Sequence, residues 1–466
     1  MAERSPQMNV FKKDPASFRD SDGFIFEYEG AFYRAITENY LVTYEKLIAS
    51  GLYKKLVEEE LLVPHEEEKI IPLSIPQHPL IIRPFQVKQI TYPYEWSYEQ
   101  YRDAALCTLR IQELALSHGF SLKDATPFNI QFAHGKPKLI DTLSFFSGDQ
   151  RLWCAYKQFC ESFLAPLALM AFIDHDMVRI GQVYHDGIPL ALASTMLPYR
   201  TWLRLSLCIH LHLHARSQRS NQDTVRKIHI GSHAVNQARL IFNLRQAVQS
   251  LPKSKTFLNW KNYYSDDCVH PLYLKNKIEI IEKAITEIKP RTVVDIGSNT
   301  GIISKIASAH SEMVIALDRD PSSIEALYLS TKKEKITNLI PLVMNILNPS
   351  PSLGWMSSER RSFLERIDPD VIMMLGISHH LIGQANITFP MLVDLCSKTK
   401  KYVFFEFIPD TDSQFKKLFR SRVNQFDWYT QKELLKAFTN LFTVKNVWKV
   451  EPTDRMIYLF EKKDAS

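Results

Sequence analysis

Apolar residues recur at helical spacing through Leu274, Ile278, Ile281, Ile285 and Ile288. The period then changes: Val293-Val294-Asp295-Ile296 runs into Gly297-Ser298-Asn299-Thr300-Gly301, and Ile302, Ile303, Ile306 and Ala307 follow at helical spacing. This predicts an amphipathic helix, a strand, a tight turn and a second helix, the βα unit on which nucleotide-type cofactors rest. Further apolar runs predict strands over Met313–Leu317, Leu339–Met344, Val371–Leu375 and Tyr402–Phe407, with a closing antiparallel hairpin over 442–450 and 456–462. Asp320-Pro321 marks a helix start, because proline suits the first helical position. In the first half, Phe24, Phe26 and Tyr28 alternate with other residues before Glu29-Gly30 and Phe32-Tyr33-Arg34, which predicts a hairpin within 23–36. Leu41–Ser50 reads as a helix closed by Gly51. Ser97 and Gln100 form a capping-box pattern opening a helix through Ala104, Ala105, Leu109 and Leu116 to Gly119. Glu66-Glu67-Glu68 reads as a solvated loop, His134-Gly135 as a hairpin turn, and 150–250 as mostly helical.

At 466 residues the chain is long enough for two or three domains with full cores. Apolar and charged contents of 45% and 23% are those of an ordinary globular protein, and a net charge of +6 tolerates an anionic partner without requiring one. The six cysteines form no Cys-x-x-Cys pair, which points to reduced thiols and argues against a zinc site. The polar start Met-Ala-Glu-Arg-Ser carries no apolar leader and no window is long and apolar enough to span a membrane, so a cytoplasmic protein is expected. The composition turns polar and basic, then aromatic, between 216 and 270. The expected division is therefore a disordered N-terminus at 1–22, a domain at 23–250, a linker at 251–270 and a second domain at 271–466.

The chemistry-bearing positions of the second domain fall at its strand ends. Asp295 stands two residues before Gly297, and Asp318 closes the second strand 17 residues beyond Gly301, where an acid grips a ribose diol. An NAD-type turn would carry a third glycine, but Asn299 stands between Gly297 and Gly301. In the order of these features, with Asn345 after the third strand and His379-His380-Leu381 after the fourth, 271–466 resembles the class I S-adenosylmethionine-dependent methyltransferases. The resemblance implies an α/β domain built on a seven-stranded Rossmann-like methyltransferase sheet, with S-adenosyl-L-methionine as cofactor. It implies cofactor binding by Asp295, Gly297, Ser298, Asn299, Thr300, Gly301, Asp318, Arg319, Asn345 and Gly376. Asp295 would orient the ammonium and Asp318 the ribose hydroxyls, while Asn345 replaces the usual aspartate facing the adenine amino group. His379, His380 and Glu406 are the catalytic candidates at the ends of strands four and five; the alternatives are packing or helix capping for the histidines and a rim charge for Glu406. No Asn/Asp-Pro-Pro-Tyr follows the fourth strand, so the pattern of many DNA and protein amide methylases is missing. Asn348-Pro349-Ser350-Pro351, Gly354-Trp355, Glu359-Arg360, His379-His380-Leu381, Glu406-Phe407-Ile408-Pro409 and Asp412-Ser413-Gln414 resemble a bacterial methyltransferase-like family that includes nodulation proteins of the NoeA type. That resemblance extends over about residues 23 to 466.

In the first domain, Asp124, Asn129 and Asp141 fall at Asp-x4-Asn-x11-Asp. Phosphotransfer needs a carboxylate by the acceptor hydroxyl, then an amide and a second carboxylate on magnesium. The segment resembles the catalytic and metal loops of protein-kinase-like and aminoglycoside-phosphotransferase-like folds, implying an α+β, mostly helical kinase-like domain. Leu122 replaces the usual histidine, Thr142-Leu143 replaces Phe-Gly, no glycine-rich phosphate loop precedes, and Arg34 is the one basic residue on the early hairpin. The readings are a degenerate, pseudokinase-like scaffold, an active phosphotransferase, or coincidence. Asn129 and Asp141 would hold metal, with ATP and Mg2+, only if the site is active. His210, His212 and His214 read as polar helix surface rather than metal ligands, since no acid flanks them, and Arg216, Arg219, Arg226 and Lys227 as a solvated linker. The leading expectation is a methyltransferase acting on an unidentified small-molecule or protein acceptor, with no nucleic-acid partner and no membrane span. The rivals are a phosphotransferase using Asp124, Asn129 and Asp141, and a non-catalytic cofactor-binding scaffold.

Overall fold

A computed structural model of the chain describes residues 12–68, 78–148, 153–220, 233–252, 271–419 and 426–464. Residues 1–11 of the expected N-terminal tail, most of the expected linker, Cys268, Arg226 and Lys227 lie outside the described residues. The chain divides into two compact units: 1–94 with 100–253 and 352–361, and 95–99 with 254–351 and 362–466. Unlike the two contiguous domains expected, each unit thus contains a short segment whose sequence neighbours belong to the other.

The first unit opens with strands β1 (Lys12–Lys13), β2 (Gly23–Tyr28), β3 (Ala31–Ile36), β4 (His65–Glu68) and β5 (Leu80–Pro84) in one antiparallel sheet of order β1-β2-β3-β5-β4. The hairpin expected within 23–36 is present, paired from Gly23 opposite Ile36 to Tyr28 opposite Ala31. The helix Glu38–Ala49 follows β3 and buries Tyr40 and Tyr44 against Ile36, Ile82 and Leu143. The acidic run is not a loop. Glu66, Glu67 and Glu68 form β4 opposite Arg83, Ile82 and Ile81, and charged side chains suit such an edge strand because they discourage further pairing. The helix Tyr98–Ser117 then leads into β6 (Phe120–Leu122), β7 (Ile130–Ala133), β8 (Lys136–Leu139) and β9 (Phe145–Ser147), with β7 paired to β8 and β6 to β9. Described residues 156–249 are predominantly helical, as expected.

Two histidines correct the sequence reading. His210 and His212 are 3% and 0% exposed, not surface residues. Cys208–Leu213 is a π-helical turn, and it carries both rings into the core. His212 bonds Ser194 Oγ at 2.8 Å and Thr201 Oγ1 at 2.9 Å, and His210 bonds the Tyr156 hydroxyl at 2.9 Å. Both act as hydrogen-bonded core residues, with pKa values lowered by burial. Among the described residues no group of His, Cys, Asp and Glu is arranged to hold a metal ion. Cys107, Cys160 and Cys396 are buried free thiols.

The second unit is an α/β domain. Its seven strands are β10 (Thr292–Ile296), β11 (Met313–Asp318), β12 (Leu339–Val343), β13 (Val371–Met374), β14 (Tyr402–Phe407), β15 (Phe442–Lys449) and β16 (Met456–Lys462), in the order β12-β11-β10-β13-β14-β16-β15. The first five are parallel, and β16 runs antiparallel to both β14 and β15, closing the sheet with the expected hairpin. Parallel strands covered on both faces read as continuous apolar runs, which is why these segments were legible. The helix Pro271–Ile288 packs Tyr273, Ile281 and Ile285 into a core with Val293, Val314, Val371 and Phe404. Successive strands add outward from β10 through β11 to β12, and the chain then returns to the other side of β10 with β13. At that reversal a crevice opens beyond the carboxyl ends of the strands. Among the described residues, no helix is long and apolar enough to cross a membrane.

Candidate functional site

The crevice is built first by its turn. Gly297 has φ +80°, and a Cβ there would meet Ile377 Cδ1 at 2.6 Å, so both backbone conformation and the approach of the loop after β13 require glycine. Asn299 has φ +51°, in the left-handed region that asparagine tolerates better than most residues, which is how it stands where another turn would use glycine. Its side-chain oxygen accepts the Thr300 N–H at 2.6 Å. The Gly297 and Ser298 N–H groups donate to Leu317 O at 2.8 and 2.9 Å, binding the turn to the end of β11.

Asp318 ends β11. One carboxylate oxygen accepts the Asn299 N–H and the other the Asp320 N–H, both at 2.9 Å, and each retains a lone pair. Burial raises the Asp318 pKa above the ordinary carboxylate value, while the two N–H groups pull it back. Asp295 lies beneath the turn, 3% exposed, and accepts from Ser304 Oγ at 2.6 Å. Burial pushes its pKa from 3.8 to about 6, against the pull of Ser304 and Lys277.

The crevice is lined by Gly297, Asn299, Asp318, Arg319, Asn345, Gly376 and His380, seven of the sequence candidates brought together from the carboxyl ends of four strands. Apolar walls come from Ile296, Leu317, Met344, Ile346, Leu347, Leu375, Ile377 and Leu381. Asn345 differs from a freely presented amide: its side-chain oxygen already accepts the Leu347 N–H at 3.1 Å. Ser298, Thr300 and Gly301 shape the turn but do not line the crevice, and the Ser298 hydroxyl is buried with no hydrogen-bond partner among the described residues.

The three catalytic candidates separate. His380 lines the crevice, its pKa lowered to about 4 by burial and by the charges of Arg319 and Arg455. His379 is fully buried with its ring 4.2 Å from that of His380, and neither of its ring nitrogens has a hydrogen-bond partner among the described residues. Burial, then the charges of His380, Arg455 and Lys277, hold it well below the usual histidine range. Glu406 is fully buried. Its oxygens accept from the Tyr273 hydroxyl and, at 2.8 Å, from Lys277 Nζ. Burial alone would raise its pKa, but Lys277 and Arg455 outweigh that and hold it below the ordinary value. Arg455 donates to the Tyr273 hydroxyl at 3.1 Å and to Asp412 at 2.9 and 3.2 Å.

Sequence reasoning missed Lys277, Tyr273 and Arg455. Lys277 carried a readable signal, because it interrupts the apolar stripe of Leu274, Ile278 and Ile281 at a core-facing position. Lys277 also lines the crevice. A Cβ at Gly376 would stand 3.8 Å from Lys277 Nζ and 3.5 Å from Glu406 Oε2, so the buried pair lies directly behind this glycine. Tyr273 and Arg455 carried no local signal.

In the first unit, Asp124, Asn129 and Asp141 do come together. Asn129 Nδ2 donates to Asp124 Oδ2 at 3.0 Å and to Ser144 Oγ at 3.3 Å, and Ser144 Oγ donates to Asp141 Oδ2 at 2.7 Å. The other Asp141 oxygen faces Arg34 Nη1 at 2.6 Å, and Arg34 also pairs with Asp20. Gln158 Nε2 donates to Asp124 at 2.6 Å, and burial, followed by the charge of Asp141, raises the Asp124 pKa.

No family model matches the chain. Among solved structures, the N-methyltransferase NodS of Bradyrhizobium japonicum WM9 with S-adenosyl-L-homocysteine aligns at TM-score 0.33 and 11% identity, over 45% of this chain and 100% of that one. Magnesium protoporphyrin IX methyltransferase of Synechocystis PCC 6803 with bound S-adenosylmethionine aligns at TM-score 0.32 and 12% identity, over 45% and 92%. The nodulation protein NoeA of Rhizobium meliloti (strain 1021) is 30% identical over 468 aligned positions, spanning 96% of each chain. An identity of that extent runs through both units and the crevice, and the chain belongs to the family of the nodulation protein NoeA.

Proposed function

We propose that the second unit binds S-adenosylmethionine and directs its methyl group to a small-molecule or protein acceptor. The carrying observation is the crevice at the sheet's reversal point, where the Gly297–Gly301 turn, the Asp318 carboxylate and an apolar slot converge. The residues fit the group. Asp318 keeps acceptor capacity for the ribose hydroxyls, Leu317, Met344, Ile346 and Leu347 suit a purine face, and Asp295 supplies negative charge below the turn for an ammonium. When bound, the sulfonium supplies an already activated methyl group, so this chain's task is alignment and, for a protonated acceptor, acceptance of a proton. His380 is the residue we assign to that proton, since of the three catalytic candidates it is the one whose ring lines the crevice. Glu406 is assigned a positioning role: both its oxygens are engaged, and through Lys277 it shapes the crevice floor beneath Gly376.

For the first unit we infer a kinase-like scaffold without phosphotransfer. Its support is the run from the helix Tyr98–Ser117 through β6, the Asp124–Asn129 loop, the β7–β8 hairpin, Asp141 and β9, together with the Arg34 guanidinium against Asp141 where an active site would place a metal ion. Isothermal titration of the whole protein with S-adenosylmethionine tests the main reading. Micromolar-range binding that Asp318→Ala or Asp295→Ala abolishes is expected, and binding unchanged in both variants would overturn the site. Incubation with labelled methyl donor and native lysate then separates an enzyme, which labels an acceptor fraction, from a cofactor-binding scaffold, which labels none.

A further inference from the structure

The first unit carries a surface that neither the crevice nor the Asp124 cluster uses. The short 3-10 helix Tyr199–Leu203 and the turn after it hold Tyr199, Leu203 and Leu205 at 91%, 88% and 76% exposure, among the most exposed large apolar side chains described. Leaving three such side chains in water is unfavourable, and a cluster of them usually marks a surface that something covers. Arg200 and Arg204 alternate with them and are also exposed. Both guanidinium groups stand over the Phe172 ring, at 5.7 and 5.1 Å, so the two charges lie on one side of the spur. Arg216 stands over Trp202 at 4.4 Å. Between Asp186 and Asp223 the sequence contains neither aspartate nor glutamate. Among the described residues, no ion pair engages Arg200, Arg204 or Arg216.

The base of the spur is firmly held. Thr201 is fully buried and bonds His212 at 2.9 Å, and Trp202 stacks on the His212 ring at 4.3 Å. Arg204 donates to Ser250 O at 3.0 Å. The apolar side chains are therefore presented outward by a rigid turn that already has its own core contacts.

We propose that the segment Tyr199–Leu205 is a peripheral docking site for an anionic lipid surface. Leucines and a tyrosine flanked by arginines match an interface whose inner layer is apolar and whose outer layer carries negative headgroups. The exposed guanidinium groups of Arg200, Arg204 and Arg216 give the charge complementarity that such a surface requires. The three side chains project from a single turn, and this suits shallow insertion between lipids more than the packed, pocket-filling core of a protein interface.

Co-sedimentation of the whole protein with vesicles tests this. The protein should pellet with vesicles of equal parts phosphatidylcholine and phosphatidylglycerol, and not with phosphatidylcholine alone. Leu203→Glu with Leu205→Glu should abolish pelleting. Arg200→Gln with Arg204→Gln should weaken it about 25-fold, at about fivefold for each basic residue removed near such a surface. Arg200→Lys with Arg204→Lys keeps both charges and should retain it. Circular dichroism melts of each variant separate lost binding from lost folding. Failure of the wild type to pellet with the anionic vesicles, or equal pelleting by the Leu→Glu variant, overturns the proposal. So does a wild-type dimer that this variant dissolves in the absence of vesicle binding.

Discussion

Asp295 is buried to 3% exposure at the end of β10, with one hydrogen bond from Ser304 and the Lys277 charge nearby. Desolvation disfavours its ionised form, and its pKa rises from 3.8 to about 6. For an acid raised in the folded state, the folded protein binds the proton more tightly than the unfolded chain. The stability this group contributes is therefore present at low pH and is lost as pH rises from about 4 through 6. Asp295→Asn should make the protein more stable than wild type above pH 6, by about 1–3 kcal/mol in thermal or urea unfolding. Cofactor affinity should move the opposite way. An ionised carboxylate is what attracts an ammonium, so titration between pH 5 and 7.5 should show wild-type affinity rising until about pH 6 and then levelling, with a flat, weaker profile for Asp295→Asn. Such a residue keeps its place through function rather than stability. The neighbouring Glu406 is managed differently, because Lys277 and Tyr273 take up both its oxygens and Arg455 reinforces them. Buried pairs of this kind contribute little net stability, but removing one partner is expensive.

At the scale of elements, the βα turn joins β10 to the helix Ile302–Ala309 and places that helix against Pro321–Glu334. Gly301 caps the first helix at φ +76°, and a Cβ there would meet Leu327 Cδ1 at 2.3 Å. Two separate penalties fall on one position, backbone strain and a clash with a fully buried leucine. Gly301→Ala should lower stability by about 1–3 kcal/mol, read as a lower melting temperature, and Leu327→Ala in the same chain should relieve the clash while leaving the strain. The element scale is also where the sequence was most legible. Each parallel strand of the second unit is a predominantly apolar run, and each boundary agrees with the reading to within a residue or two. The surface reading of His210 and His212 failed, because the absence of flanking acids does not report burial and both rings are bonded within the core.

On the scale of the molecule, the two units are not contiguous in sequence. Residues 95–99 belong to the second unit and 352–361 to the first. Within the second unit, Glu95 and Arg366 form an ion pair with side chains 0% and 5% exposed. A fragment comprising 271–466 lacks Glu95 and would bury Arg366 without that carboxylate, a loss of about 3–5 kcal/mol. The fragment should therefore melt well below the second unit in the whole protein, and Arg366→Met in the fragment should recover part of the difference. A fragment that melts with the intact unit would show that the exchanged segment is unimportant to stability.

The sequence by itself determined the strands of the second unit and the helices around its first two strands, the glycine turn, the acid at the end of β11, and the meeting of Asp124, Asn129 and Asp141. Each depends on local period, on φ/ψ demands or on spacing within one short stretch, all of which neighbouring residues encode. Tertiary structure alone decided that Tyr273, Lys277 and Arg455, separated by up to 182 positions, converge on Glu406 and Asp412. It also decided that Arg34 stands against Asp141, that His379 faces inward while His380 lines the crevice, and that two short segments are exchanged between units. These outcomes follow from sheet order and chain return, where the energy of a buried charge depends on partners that no local pattern specifies.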